Sequence, residues 1–181
     1  MCIRDRVYSS ISSTPVSLYE TLGNVAPYVA TYTIGNITPY GTTGLFLSQS
    51  SSWHLFVGSN GGIYHVNAPI NNNGVQETSG TVQTLYAVAL DQSPCNSNTT
   101  NVNAIAVGTN GTILQNTYSR SGSSLAYSGW TAKSSGIVSN LNSVWCNWSG
   151  GWTSNTAGSR WIAVGDYGVI LTSTNGGSTW T

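Results

Sequence analysis

The sequence predicts an all-β protein built as a partial β-propeller, about three and a half four-stranded blades of a larger ring. Three observations predict it. The motif V-G-x-x-G-x-I occurs three times without gaps, as VGSNGGI from Val57, VGTNGTI from Val107 and VGDYGVI from Val164, spaced 50 and 57 residues apart. Each copy is preceded by one strand-like run (HLFVG, AIAVG, WIAVG) and followed by another (GIYHVN, TILQNT, VILTST). A further apolar run lies upstream of each copy and a shorter one downstream, so the repeat unit holds four strands. A β-sandwich, the rival architecture, has no need of one hairpin motif at a near-constant period.

The elements follow in order. The opening MCIRDR, within residues 1–7, is read as non-native translated sequence of the kind metagenomic assembly leaves. It carries no apolar run and is not a signal peptide. Residues 8–40 hold VSLYETL and YVATYTI, which fit the outer two strands of a preceding blade. Blades are expected over 41–80, 81–136 and 137–181, the last truncated in its outer strand, so the sequence is expected to be a fragment. In each hairpin, Gly61, Gly111 and Gly168 supply the positive φ that a tight turn needs. VQTLYAVALDQ also fits a helical spacing at Val82, Leu85, Tyr86, Ala89 and Leu90. Its repeat equivalent LNSVWCNW is rich in strand formers, so both are expected to be strands.

Composition narrows the partners. Charged residues are 6% of the 181, aromatics 10%, with 7 Trp and 10 Tyr, and the formal net charge is zero. A chain this apolar is not disordered. Without a run of Lys or Arg, nucleic acid and anionic membrane are poor partners. No apolar run reaches the length of a membrane span. The expected partner is a protein or a glycan. The Asn/Ser/Thr-rich surface suits an extracytoplasmic setting. Cys95 and Cys146 lie near equivalent ends of neighbouring inner strands, either as a disulfide or as two thiols. There is no metal-ligand spacing and no cofactor motif.

STNGGSTW, residues 173–180, resembles the Asp-box of bacterial neuraminidase repeats, with Asn175 in the Asp position. The resemblance implies structural roles for Ser173, Asn175, Gly177, Thr179 and Trp180. The Asx side chain bonds its own turn, the Gly permits it, and the Trp packs between blades. Joined to WIAVGDYGVILTS, the stretch is similar to the photosystem II stability/assembly factor family. The likeness is strongest over the last 40 residues, and Trp130 is the counterpart of the box Trp in the blade before. That resemblance implies a seven-bladed, non-catalytic scaffold. The family's assembly factors use a basic patch, whereas this chain beyond its first seven residues carries only Arg120, Lys133 and Arg160.

No catalytic residue is assigned. Sialidase chemistry needs three convergent Arg, and other glycosidases need two carboxylates flanking a bond. The acids outside the opening segment are Glu20, Glu77, Asp91 and Asp166. Glu77 is expected on a solvated outer strand, Asp91 at the end of an inner strand, and Asp166 as a turn former. His54 and His65 are expected to be packed or solvated rather than ligating. Trp145, Trp148 and Trp152 form either a sugar platform or blade packing. The ligand-binding candidates are Asn60, Asn110, Asp166 and Tyr167, equivalent turn positions that would converge on one face. Three classes of function follow: a binding scaffold, a carbohydrate- or receptor-binding propeller of a secreted or virion protein, and a glycoside hydrolase.

Overall fold

The computed structural model describes residues 16–20, 28–32, 39–48, 51–68, 71–91, 101–121, 124–147 and 159–181. It is all-β, with no α-helix among those residues. Strands β1 (Val16–Glu20) and β2 (Tyr28–Tyr32) form an antiparallel hairpin. Three larger antiparallel sheets follow, each open at its edges.

The first sheet runs in chain order through β3 (Pro39–Ser48), β4 (Ser51–Gly58), β5 (Ile63–Ala68) and β6 (Asn71–Glu77). The second contains β7 (Leu85–Leu90), β8 (Asn101–Gly108) and β9 (Ile113–Ser121). Strand β9 has two partners in succession on its outer edge: β10 (Ser124–Tyr127) and then β11 (Thr131–Lys133). This sheet therefore has five strands where the repeat predicts four. The third sheet is β12 (Leu141–Asn147), β13 (Arg160–Gly165) and β14 (Ile170–Ser173). Thr181 exchanges two backbone hydrogen bonds with Thr172 of β14. The helical spacing of VQTLYAVALDQ is overridden: Leu85–Leu90 is the inner strand β7, paired with β8.

Alternation of side chains decides how the sheets stack. In a strand, successive residues face opposite sides. Leu55, Val57 and Ile63 of the first sheet are buried against Leu85, Val88, Ala104, Ala106 and Leu114 of the second. From its other side, the second sheet presents Ile105, Val107 and Ile113 to Leu141, Val144, Trp161, Ala163 and Leu171 of the third. The second sheet thus has one face that receives the first sheet and one that inserts into the third.

One feature recurs without a sequence signature. The first strand of each of the three larger sheets carries a register shift at the same place, at Tyr40, Tyr86 and Asn142, just opposite the Val-Gly that leads into the hairpin turn. A bulge re-aims the side chain it carries. Tyr40 and Tyr86 meet edge to face, with ring centroids 5.6 Å apart.

Candidate functional site

The three V-G-x-x-G-x-I hairpins close with the same turn. The carbonyls of Ser59, Thr109 and Asp166 accept from the N–H groups of Gly62, Thr112 and Val169 at 2.9, 3.0 and 3.2 Å. Both central residues have positive φ: Asn60 and Gly61, Asn110 and Gly111, Tyr167 and Gly168. These are type I′ turns, which match the right-handed twist of the flanking strands. Asn tolerates the left-handed region; an aromatic residue there is an outlier. Tyr167 holds φ +59 and is 96% exposed.

The turns are knitted to the links between sheets. Thr109 Oγ1 and Asn110 Nδ2 both donate to Gln83 Oε1, at 2.7 and 2.9 Å. Asn140 Oδ1 accepts from the Asn110 N–H at 3.2 Å, while its Nδ2 donates to Asp166 Oδ2 at 2.9 Å. Asn142, at the third bulge, donates to Asp166 Oδ1 at 2.7 Å. The structure thus joins Asn110 and Asp166 through Asn140, and commits both side chains to the protein itself. Asn60 and Tyr167 project outward from the same kind of turn, with no side-chain hydrogen bond among the described residues. The bulged Tyr40 is exposed beside Tyr86. Sequence reasoning missed these two tyrosines because a bulge leaves no mark in residue types. An open cleft of about 460 Å³ lies next to the second turn, bounded by Thr81, Asn110, Leu114, Lys133, Ser135 and Val138.

The turn at residues 173–180 is a closed set of bonds. Ser173 Oγ donates to Asn175 Oδ1 and accepts from the Gly177 N–H, both at 3.0 Å. Asn175 Oδ1 also accepts from the Thr179 N–H at 3.0 Å, and its Nδ2 donates to Thr179 Oγ1 at 2.8 Å. Trp180 Nε1 donates to the Gly177 carbonyl at 3.0 Å, and Gln115 of the second sheet donates to the Gly176 carbonyl at 2.8 Å. Trp180 is buried between the second and third sheets.

The acidic residues are not where solvent chemistry needs them. Glu77 is not on a solvated strand: it is 1% exposed. Its Oε1 lies 2.7 Å from His65 Nδ1. Its Oε2 accepts from Trp130 Nε1 at 2.7 Å, Tyr118 Oη at 2.8 Å and Asn116 Nδ2 at 3.4 Å. The physical reason is that β6 is covered by the longer β9 and by Trp130, which bring three donors to one carboxyl. Burial, and then Glu77 beside it, push the Tyr118 hydroxyl far above its ordinary range. His65 is consumed by this cluster, and His54 is likewise buried.

Asp91 is buried and receives the Asn103 N–H at 2.8 Å and Asn103 Nδ2 at 2.7 Å. Desolvation raises its pKa, against the lowering effect of those bonds. Cys146 is a buried free thiol, pushed up to about 12 by burial and then by the Asp91 charge. Its suggested partner Cys95 lies outside the described residues, as do Trp148 and Trp152. Trp145 is exposed on β12. Among the described residues no three His, Cys, Asp or Glu side chains group to hold a metal ion, and no helix is long and apolar enough to cross a membrane.

No family model matches the chain, and no curated protein matches its sequence.

Proposed function

We propose that this chain is part of a β-propeller acting as a non-catalytic binding scaffold, and that its partner, a neutral polar protein surface or glycan, meets the end of the sheets that bears the type I′ turns. The observation that carries the reading is Tyr167, a bulky residue held at positive φ yet 96% exposed. Backbone strain maintained without any packing return points to use. Tyrosine offers a flat apolar ring and a hydroxyl, which suits a polar partner. Tyr40, Tyr86 and Asn60 add to the same end, and the Asn110–Asn140–Asp166 chain stiffens it. The extracytoplasmic setting belongs to this reading through the Asn/Ser/Thr-rich composition, and the resemblance to photosystem II assembly factors through residues 161–180.

Hydrolysis is disfavoured by the state of the described carboxylates. Glu77 and Asp91 are buried under internal donors, and Asp166 is held by two Asn side chains. The test is photo-crosslinking from position 167 in cell extract, run beside an array of neutral oligosaccharides. One protein captured in the unsubstituted background, and not with Tyr40→Ala, is the outcome expected of a scaffold. An array signal lost in Tyr167→Ala makes the partner a glycan. Turnover of a 4-methylumbelliferyl glycoside overturns the non-catalytic role.

A further inference from the structure

The outer face of the third sheet is apolar and uncovered. Trp145 of β12, Ile162 and Val164 of β13 and Ile170 of β14 are all exposed. Register places Trp145 opposite Ile162, and Val164 opposite Ile170, so they form one continuous patch. The same register fixes their counterparts. Val57 opposes Ile63 in the first sheet and Val107 opposes Ile113 in the second, with Leu55 and Ile105 two residues upstream. Those six residues are at most 1% exposed, each set buried against the next sheet along the chain. In the third sheet the equivalents Ile162 and Ile170 are 39% and 66% exposed. A terminal repeat that caps a stack carries polar residues here. This one keeps Ile, Val, Ile and adds Trp.

We infer that this face docks another sheet of the same repeat, continuing the series of intersheet interfaces already present. Its partner supplies the receiving set that Leu141, Trp161, Ala163 and Leu171 supply to the second sheet. A second copy of this chain is a poorer fit. The receiving side of its first sheet, at Phe56 and Tyr64, is already buried within the chain. Two third sheets set face to face would bring together two inserting surfaces with no receiving one. Such stacking needs neither a closed ring nor any partner at Tyr167.

Register also dictates the test. Thr131 pairs with Gln115 just as Thr181 pairs with Thr172, so Thr181 is the counterpart of Thr131. The full chain is extended so that Thr181 is followed by a second copy of residues 132–181. Ser143→Cys, whose position opposes Val164 on the exposed face, reports access through maleimide labelling read by mass spectrometry at that residue. Labelling at least tenfold slower in the extended chain than in the 181-residue chain is expected. Ile162→Asp with Ile170→Asp in the original third sheet should restore the fast rate. Equal rates in the two chains, including through failure of the added repeat to fold, overturn the inference. So does a discrete dimer of the 181-residue chain in which position 143 is already protected, since a second copy is then the occupant. Separately, the unextended chain should bind the dye ANS, and Ile162→Ser with Ile170→Ser should abolish that binding. Dye binding unchanged by those substitutions counts against the face.

Discussion

Trp130 Nε1 donates to Glu77 Oε2 at 2.7 Å, tying the outer edge of the second sheet to the last strand of the first. Glu77 is the hub of that junction, with Tyr118, Asn116 and His65 around it. Removing the carboxyl leaves several buried donors unpaired, each costing about 1–3 kcal/mol. Glu77→Ala is therefore expected to destabilise by about 3–5 kcal/mol, and Trp130→Phe by about 1–2 kcal/mol. Urea denaturation of both variants checks the order. A Glu77→Ala midpoint equal to that of the unsubstituted chain would show the cluster to be solvated.

Tyr167 holds a left-handed conformation that costs an ordinary L-residue about 1–2 kcal/mol. Its equivalents Asn60 and Asn110 occupy the same φ. Tyr167→Asn is accordingly expected to stabilise the chain by about 1 kcal/mol, because nothing packs on the exposed ring. A lower denaturation midpoint would mean that the ring makes a contact within the protein. If Tyr167 is the partner contact, the same substitution weakens capture at that end, so stability and binding move in opposite directions.

The hairpin glycines separate two physical costs. Gly111 and Gly168 hold φ +64 and +74. A Cβ on Gly111 would lie 2.2 Å from the Ile137 carbonyl oxygen, whereas one on Gly168 meets nothing within 4 Å. Gly168→Ala is expected to cost only the conformational term, about 1 kcal/mol. Gly111→Ala adds displacement of a backbone link, about 1–3 kcal/mol more. Comparing the two by thermal melts checks this; equal losses would show that the link yields freely.

How much of this was legible in the sequence follows from which forces are local. The I′ turns were, because positive φ selects Gly within the turn itself. Strand β7 was, because the repeat outweighed a helical spacing at Leu85–Leu90. Glu77 was not: its donors come from Asn116, Tyr118 and Trp130, far along the chain, and no local pattern marks an acid for burial. The Tyr40 and Tyr86 bulges were invisible because any residue type can occupy them. Asn110 and Asp166 were found as turn residues, but their engagement with Asn140 depends on the neighbouring link. Strand β10 was missed because SRSGSSLAY reads as a long turn until β9 extends to meet it.

Asp91 gives the chain a signed pH response, readable against Cys146. Burial raises the Asp91 pKa above the ordinary carboxylate value. A raised folded-state pKa means the folded chain holds the proton more tightly than the unfolded chain. The resulting stabilisation is fully present below the unfolded pKa and is lost as pH rises through the folded one. The stability of Asp91→Asn minus that of the unsubstituted chain should therefore grow as pH rises from 4 to 7. Denaturation midpoints at steps across that window measure it; a difference that is flat or falls with pH contradicts the burial. Cys146 supplies the second reading. Its thiol, pushed up to about 12, stays protonated near neutrality and is a poor nucleophile. Its labelling by DTNB should follow unfolding rather than reagent concentration. At equal stability Asp91→Asn should therefore leave the labelling rate near neutrality unchanged, and a faster rate would show direct reaction of the folded thiol.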